Sequence, residues 1–296
     1  MIPNNLNYDE INISNEDNQK IVIFTGSKIR HKRFANRIIN KFPNEVIYWF
    51  EINKKKSQKK TKKKIKEYFN YLISNPKIFF IKFINRMFGL FFKDKPQDFD
   101  KIEHVFYSYE KKINSFENDV NFLKIETPNS DQVYKILEKE KPLLIITLGG
   151  AKYSRRLINY AKISLNQHDG WCPEYRGSNT VDWTLFHRDY FKIGNTVHLL
   201  SDNIDAGHII RRSTINLSVN DTPYICFLKS ISLGTELIIE TIENLFNEKK
   251  IKIFKQSEKN QKTFYRKNYT KNVVEAINRD FSNDLYKNTL IKMRNF

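Results

Sequence analysis

Cysteine and unbroken apolar sequence are both scarce in this chain. Its 296 residues hold two cysteines, Cys172 and Cys226, far apart and without metal-ligand spacing. They fit a reducing, cytoplasmic setting and exclude a disulfide framework. Residues 1–19 are polar with no apolar segment, which excludes a secretory signal and reads as a loose polar leader. No internal repeat is evident, so a repeat architecture is excluded too. The longest apolar stretch, 78–92, is too short and too broken by Lys82, Asn85 and Arg86 to span a bilayer.

Hydrophobic residues make up 40% of the chain, including 23 Phe and 15 Tyr, enough for a sizeable core. Charged residues at 28% are ordinary for a soluble protein, but the balance is not, because 51 Lys and Arg face 33 Asp and Glu, a formal net charge of +18. Residues 54–95 carry 13 Lys and one Arg against Glu67 and Asp94, a local excess of +12. A Lys-rich stretch (54–66) followed by an aromatic-rich one (78–92) has the pattern of a peripheral membrane-surface helix. A helical insertion packing on its own domain fits the same pattern. Nucleic-acid binding is disfavoured, because the aromatics form a contiguous apolar face rather than a stacking platform.

Taken in order, the chain alternates strand and helix patterns. An apolar run at 20–25 meets Gly26-Ser27 and a helical pattern at 29–40, the strand-turn-helix opening of an α/β domain. Gly26, Ser27 and Lys28 could offer amides, a hydroxyl and a charge to a phosphate at the helix start, although a plain turn needs only the glycine. Strands are expected at 44–52, 101–109 and 120–124. Asn129 or Ser130 caps a helix to Lys139, Pro142 stops it, and 143–148 reads as a strand buried on both faces. Helices are expected at 152–161, 177–188 and 222–247, and strands at 163–168, 196–200 and 211–217. Beyond Lys249 the chain reads as polar and broken, with a small strand near 263–265. The fold class is therefore α/β: a Rossmann-like, mainly parallel sheet with helices on both faces, plus a basic helical insertion at 54–96.

Three polar residues stand out. Asn166 and His168 alternate with apolar residues in ISLNQH, so a strand places them on one face. Asp205 lies in Asn203-Ile204-Asp205-Ala206-Gly207, a turn-rich string after the 196–200 strand. There Gly207 supplies backbone freedom and the small Ala206 lets a ligand approach closely. An amide, an imidazole and a carboxylate together can move a proton and stabilise a developing oxyanion without a serine or cysteine nucleophile. On spacing alone a bland alternative stays open: a strand-capping histidine, a turn asparagine and a loop acid. His187, His198 and His208 read as structural.

The segment Asn166-Gln167-His168, Pro173, Tyr175-Arg176-Gly177 and Asp205-Ala206-Gly207, with Gly194-Asn195-Thr196-Val197-His198 between, resembles the formyltransferase family that uses 10-formyltetrahydrofolate. That resemblance implies formyl transfer from 10-formyltetrahydrofolate to a primary amine, with no metal, by a catalytic domain at 20–250 followed by a short C-terminal extension at 251–296. It implies Asn166, His168 and Asp205 as the catalytic set. Leu148, Gly149 and Gly150, with Asn203, Ala206 and Gly207, are implied as folate contacts. Tyr175, Arg176, Gly177 and Asn179 face the acceptor, although Arg176 could instead brace its loop. The stretch Asp169-Gly170-Trp171-Cys172 departs from the family pattern beside the acceptor. The family's glycinamide ribonucleotide branch has a Gly-x-Gly-Ser-Asn loop that the first turn lacks here. Its methionyl-tRNA branch carries an extra β-barrel, for which the last 48 residues are few. By subtraction the acceptor is expected to be a nucleotide-linked amino sugar in surface polysaccharide synthesis, with methionyl-tRNA or glycinamide ribonucleotide as the alternative. A basic module that binds membrane or nucleic acid without catalysis is the alternative of another class.

Overall fold

The computed structural model describes residues 8–53, 98–108, 120–149 and 152–294. The basic insertion expected at 54–96, and Gly150, lie outside these residues. The strands are β1 (Asp9–Asn12), β2 (Ile21–Thr25), β3 (Val46–Ile52), β4 (Asn121–Ile125), β5 (Leu144–Leu148), β6 (Ile163–His168), β7 (Arg176–Gly177), β8 (Gly194–Leu199), β9 (Ile209–Thr214), β10 (Lys250–Ile253) and β11 (Thr263–Phe264). The helices are α1 (Ile29–Lys41), α2 (Phe99–Phe106), α3 (Asp131–Glu140), α4 (Arg155–Ile158), α5 (Thr180–Phe186), α6 (Pro223–Glu248), α7 (Lys271–Ser282) and α8 (Leu285–Arg294).

Seven strands form one sheet in the order β4-β3-β2-β5-β6-β8-β9. It is parallel from β4 to β6 and antiparallel across β8 and β9. Every residue of β2 and β5 is buried, as their unbroken apolar sequences demand when helices cover both faces. Ile21, Ile23, Trp49, Ile146, Leu165 and Val197 pack with α1 and α6 on one face. Val22, Phe24, Phe50 and Ile145 pack with Val133 and Leu137 of α3 on the other. Each such aliphatic side chain contributes about 1.5–3 kcal/mol when fully buried. Strand order reverses between β2 and β5, since β2 leads to β3 on one side and β5 to β6 on the other. Ligands of open α/β sheets bind beyond the strand ends near such a point.

Four expectations are corrected. Of the strand expected at 101–109, the described residues 101–108 form none, because Asp98 caps a helix there by accepting from the Lys101 amide. Ile102, Val105 and Phe106 then share a face at helical spacing. The helix expected at 152–161 is one turn, Arg155–Ile158, capped by Ser154. The leader is not loose throughout: β1 pairs antiparallel with β10, and Ile13 is buried. The tail is not broken either. Val273 and Ile277 of α7, with Tyr286 and Leu290 of α8, join a cluster containing Tyr175, Val181, Trp183 and Ile193. The residues buried in this cluster recur four apart among charged and polar neighbours, so these helices look polar in sequence. Among the described residues no helix is long and apolar enough to cross a membrane.

Helix α2 is fixed by a buried carboxylate. The fully buried Glu103 side chain meets Arg30 Nη1 at 2.5 Å and accepts from the Arg30 amide at 2.9 Å and the Tyr224 hydroxyl at 2.5 Å. Removing one member of a buried ion pair strands the other. Glu103→Ala is therefore expected to cost about 3 kcal/mol of folding free energy, read as a lower urea midpoint; an unchanged midpoint would show that the pair is dispensable.

Candidate functional site

Alternation along β6 separates its two faces. Gln167 points toward α6 and donates to the Ile231 carbonyl at 2.8 Å, so Asn166 and His168 project from the opposite face. Register does the rest. Thr147 of β5 lies beside Asn166, and Asn166 lies beside His198 of β8, a row of three polar side chains across three strands. The Thr147 hydroxyl lies 2.8 Å from Asn166 Oδ1 and 3.1 Å from the Leu165 carbonyl, with one hydrogen to give. Given to Asn166, that hydrogen helps to fix which end of the amide faces inward. Asn166 Nδ2 is thereby turned to His198 Nε2 at 3.1 Å and Asp205 Oδ1 at 3.4 Å.

Asp205 arrives on the loop after β8. The Leu199 amide donates to the His208 carbonyl at 2.9 Å, folding the chain back along the sheet. Gly207 passes so close to the Leu199 carbonyl that a Cβ would not fit, which is why that position needs glycine. The left-handed backbone sits at Asp205 itself, with φ +47°. The Asp205 carboxylate accepts from the Gly177 amide at 2.8 Å. It also lies 3.5 Å from His168 Nδ1 and 3.4 Å from His198 Nε2. The three residues singled out from sequence thus meet, together with a fourth, His198, set aside as structural. Antiparallel register sets it beside Asn166, a pairing that local spacing in the sequence does not signal.

The protons in this cluster can be assigned from its acceptors. His168 Nε2 lies 3.0 Å from the Tyr175 carbonyl and His198 Nδ1 2.7 Å from the Leu199 carbonyl. A carbonyl only accepts, so each of those nitrogens carries a hydrogen. The nitrogens facing Asp205 are therefore bare in the neutral rings, and any added proton would be shared with the carboxylate. Gly170 makes the first contact possible, since a Cβ there would collide with His168 and with the Tyr175 carbonyl. His168 and His198 are 5% and 2% exposed, Asp205 16%, and Asn166 is half-buried. The amide and carboxylate are the open members, with the imidazoles behind them. Burial works to raise the Asp205 pKa, but the charge of His168, the bonding of His198 and the Gly177 amide outweigh it. The net effect holds the carboxyl well below the usual carboxylate range.

Other expected residues fall differently. Cys172 Sγ lies 3.6 Å from the Asp205 carbonyl, yet burial and then the Asp205 charge push its thiol well up, leaving no thiolate nucleophile. Tyr175 serves the site through its carbonyl, while its ring stacks on Phe264. Arg176 is buried and spends its guanidinium on Gln256 and Gln261, the geometry of a brace rather than of a ligand contact. Gly177 contributes its amide to Asp205. Asn179 is exposed at the start of α5 with φ +58°. Leu148 is buried, Gly149 has φ +108°, Asn203 is exposed and Ala206 half-buried. In the first turn, the Lys28 amide donates to His31 Nδ1 at 3.2 Å and the Lys28 ammonium meets Asp100 at 2.9 Å. Burial, then Arg30 and Lys28, lowers the His31 pKa to about 3, so a neutral ring fills the space beneath Gly26. Both Lys28 groups suited to a phosphate are already engaged.

Residues 127–242 match the formyl transferase family model. This segment is similar to the formyl transferase family. It contains Thr147, Asn166, His168, Tyr175, Gly177, His198 and Asp205. The methionyl-tRNA formyltransferase of Buchnera aphidicola subsp. Acyrthosiphon pisum is 29% identical over 161 residues, 53% of this chain and 51% of that protein. That of Natranaerobius thermophilus is 27% identical over 141 residues, 47% and 44% respectively. The chain thus spans about half the length of the curated relatives it matches. A solved 4-N formyltransferase from Francisella tularensis superposes with a TM-score of 0.52 at 12% identity, covering 86% of this chain and 79% of that one. A sugar N-formyltransferase from a Shewanella species gives 0.51 at 14% identity, covering 85% and 78%. Both likenesses are of fold.

Within the formyl transferase segment, Thr147 is open to test by itself. Thr147→Val keeps the shape and frees the Asn166 amide to turn over. For the formyl transfer proposed below, kcat should then fall about tenfold with KM unchanged, an effect worth about 1.4 kcal/mol, and Thr147→Ser should restore it. Equal loss in Val and Ser variants would assign Thr147 a packing role.

Proposed function

We propose that this protein transfers a formyl group from 10-formyltetrahydrofolate to the primary amine of a nucleotide-linked amino sugar. The observation that carries the reading is the meeting of Asn166, His168 and His198 around the Asp205 carboxylate within a formyl transferase segment. The donor set fits an acyl group: an amide N–H, a carboxylate with two imidazoles behind it, and a thiol kept neutral. When bound, the folate supplies an activated one-carbon acyl group. Leu148 at the end of β5 and Gly149 after it, with Asn203, Ala206 and Gly207 of the Asp205 loop, would hold it, and Gly177 and Asn179 would border the acceptor.

Transfer makes one C–N bond and breaks another. The acceptor nitrogen gives up a proton and the departing nitrogen takes one. Asn166 Nδ2 donates toward the formyl oxygen as that oxygen gains charge, releasing a contact to His198 or Asp205. Asp205 receives the acceptor's proton and shares it with His168 Nδ1 and His198 Nε2. The Tyr175 and Leu199 carbonyls hold the other ring protons in place, so a proton taken up enters only at the carboxylate. Holding both reactants at this edge supplies much of the remaining rate.

The acceptor is argued by subtraction. Lys28 is engaged by His31 and Asp100, which weighs against a small phosphate-bearing ribonucleotide amine. Solved proteins that share the fold include a sugar N-formyltransferase. Methionyl-tRNA is the second reading, favoured by the names of the sequence relatives. Purified protein incubated with 10-formyltetrahydrofolate and a panel of nucleotide-linked amino sugars, methionyl-tRNA and glycinamide ribonucleotide should add one formyl group, by mass, to an amino sugar. Transfer to methionyl-tRNA alone would replace the acceptor. No transfer to any of them would favour a non-catalytic module.

A further inference from the structure

We propose that Gln256 is a positioning residue for Asp205, the centre of a strap that joins the two loops of the site. It lies outside the segment that matches the family model, on the chain after β10, a stretch that sequence reading left as a polar tail. Its side chain is buried. The amide is fully used: Nε2 donates to the Asp205 carbonyl at 2.9 Å and to the Gly207 carbonyl at 2.6 Å. Its Oε1 accepts from Arg176 Nε at 2.9 Å and Nη2 at 2.6 Å. A second glutamine on the same strap, Gln261, accepts from Arg176 Nη1 at 2.7 Å.

The need for such a device follows from the backbone of the loop. Asp205 adopts a left-handed conformation, which aspartate tolerates more readily than most side chains, and neighbours that grip it there fix the direction of its carboxylate. Cys172 Sγ and Asn166 Nδ2 also touch Asp205, and two shorter holds depend on the strap. Gln256 grips the backbone carbonyls on either side of Ala206. The Gly177 amide grips the carboxylate, and Gly177 is itself fixed by the parallel pairing of β7 with β11, where Arg176 lies opposite Thr263 and Gly177 opposite Phe264. The Phe264 carbonyl crowds Gly177 so closely that no side chain fits there. Only an amide serves at residue 256, since two donors and a twofold acceptor are required on one planar group. The strap thus sets where the carboxylate stands relative to His168 and His198 without touching either reactant.

The role rests on the reading that Asp205 takes part in formyl transfer, and two variants test it. Gln256→Glu keeps the acceptor for Arg176 and removes both donors to the loop. Gln256→Asn keeps the chemistry and shortens the reach. Each should lower kcat for the acceptor used by the wild type by about a hundredfold, the scale of a misplaced catalytic group, while KM for both reactants stays within about twofold. Amide hydrogen exchange should quicken across 174–180 and 201–207 and stay unchanged in α6. Wild-type kcat in either folded variant, or exchange that quickens through α6 as well, would overturn the role. Absence of transfer in the wild type would sink the formyltransferase reading instead, and local exchange would still decide what Gln256 holds.

Discussion

Asp205→Asn is expected to lower kcat for formyl transfer by roughly a hundred- to ten-thousandfold, the range for loss of a general acid–base group. The carboxylate is the common partner of His168 Nδ1, His198 Nε2, Asn166 Nδ2 and the Gly177 amide. An asparagine can accept on one side only; on the other it sets an NH2 against one of these groups. It also removes the charge with which an imidazolium would share its proton. Stability should respond in the opposite sense at low pH. The Asp205 carboxyl titrates below its unfolded value of about 3.9, so its contribution is complete above that pH and is lost as pH falls through the lower, folded value. Wild type should lose stability on acidification that the Asn variant does not lose, read as melting temperature against pH. A variant with wild-type kcat, or one whose acid limb matches the wild type, would contradict this.

His168→Ala should cost a similar factor, about a hundred- to ten-thousandfold in kcat, with KM for both reactants little changed because the ring is buried behind the amide and carboxylate. His198→Ala should also be impaired, through the same carboxylate. Groups that act as a unit are not additive. The double variant should therefore be no worse than about the more damaged single one, and kcat for all four proteins decides it. Fully multiplicative losses would mean that the two rings act independently.

The sheet was legible in sequence because its strands are either unbroken apolar runs, as in Leu144–Leu148, or clean alternations, as in Ile163–His168. Asn166, His168 and Asp205 could be named from one face of a strand and one turn-rich loop, and the family resemblance gave them roles. What stayed hidden depends on contacts distant in sequence. His198 joins Asn166 through antiparallel register, and Thr147 joins it through parallel register; neither pairing is written in local spacing. Gln256 sits 51 residues from Asp205 in a polar stretch, where a glutamine carries no signal of its own. Residues 101–109 were misread because Ile102, Val105 and Phe106 suit a strand by type, whereas the Asp98 cap and the buried Glu103 decide for a helix.

The central claim is that two imidazoles, each locked by a carbonyl, share one carboxylate. It is tested most directly by the imidazole nitrogen-15 resonances of His168 and His198 at neutral pH, in wild type and in Asp205→Asn. In wild type the ring hydrogens should sit on His168 Nε2 and His198 Nδ1, and the resonances of the two facing nitrogens, His168 Nδ1 and His198 Nε2, should both move in the Asn variant. Facing nitrogens that ignore the substitution, or a His168 whose Nε2 is bare when neutral, would contradict it.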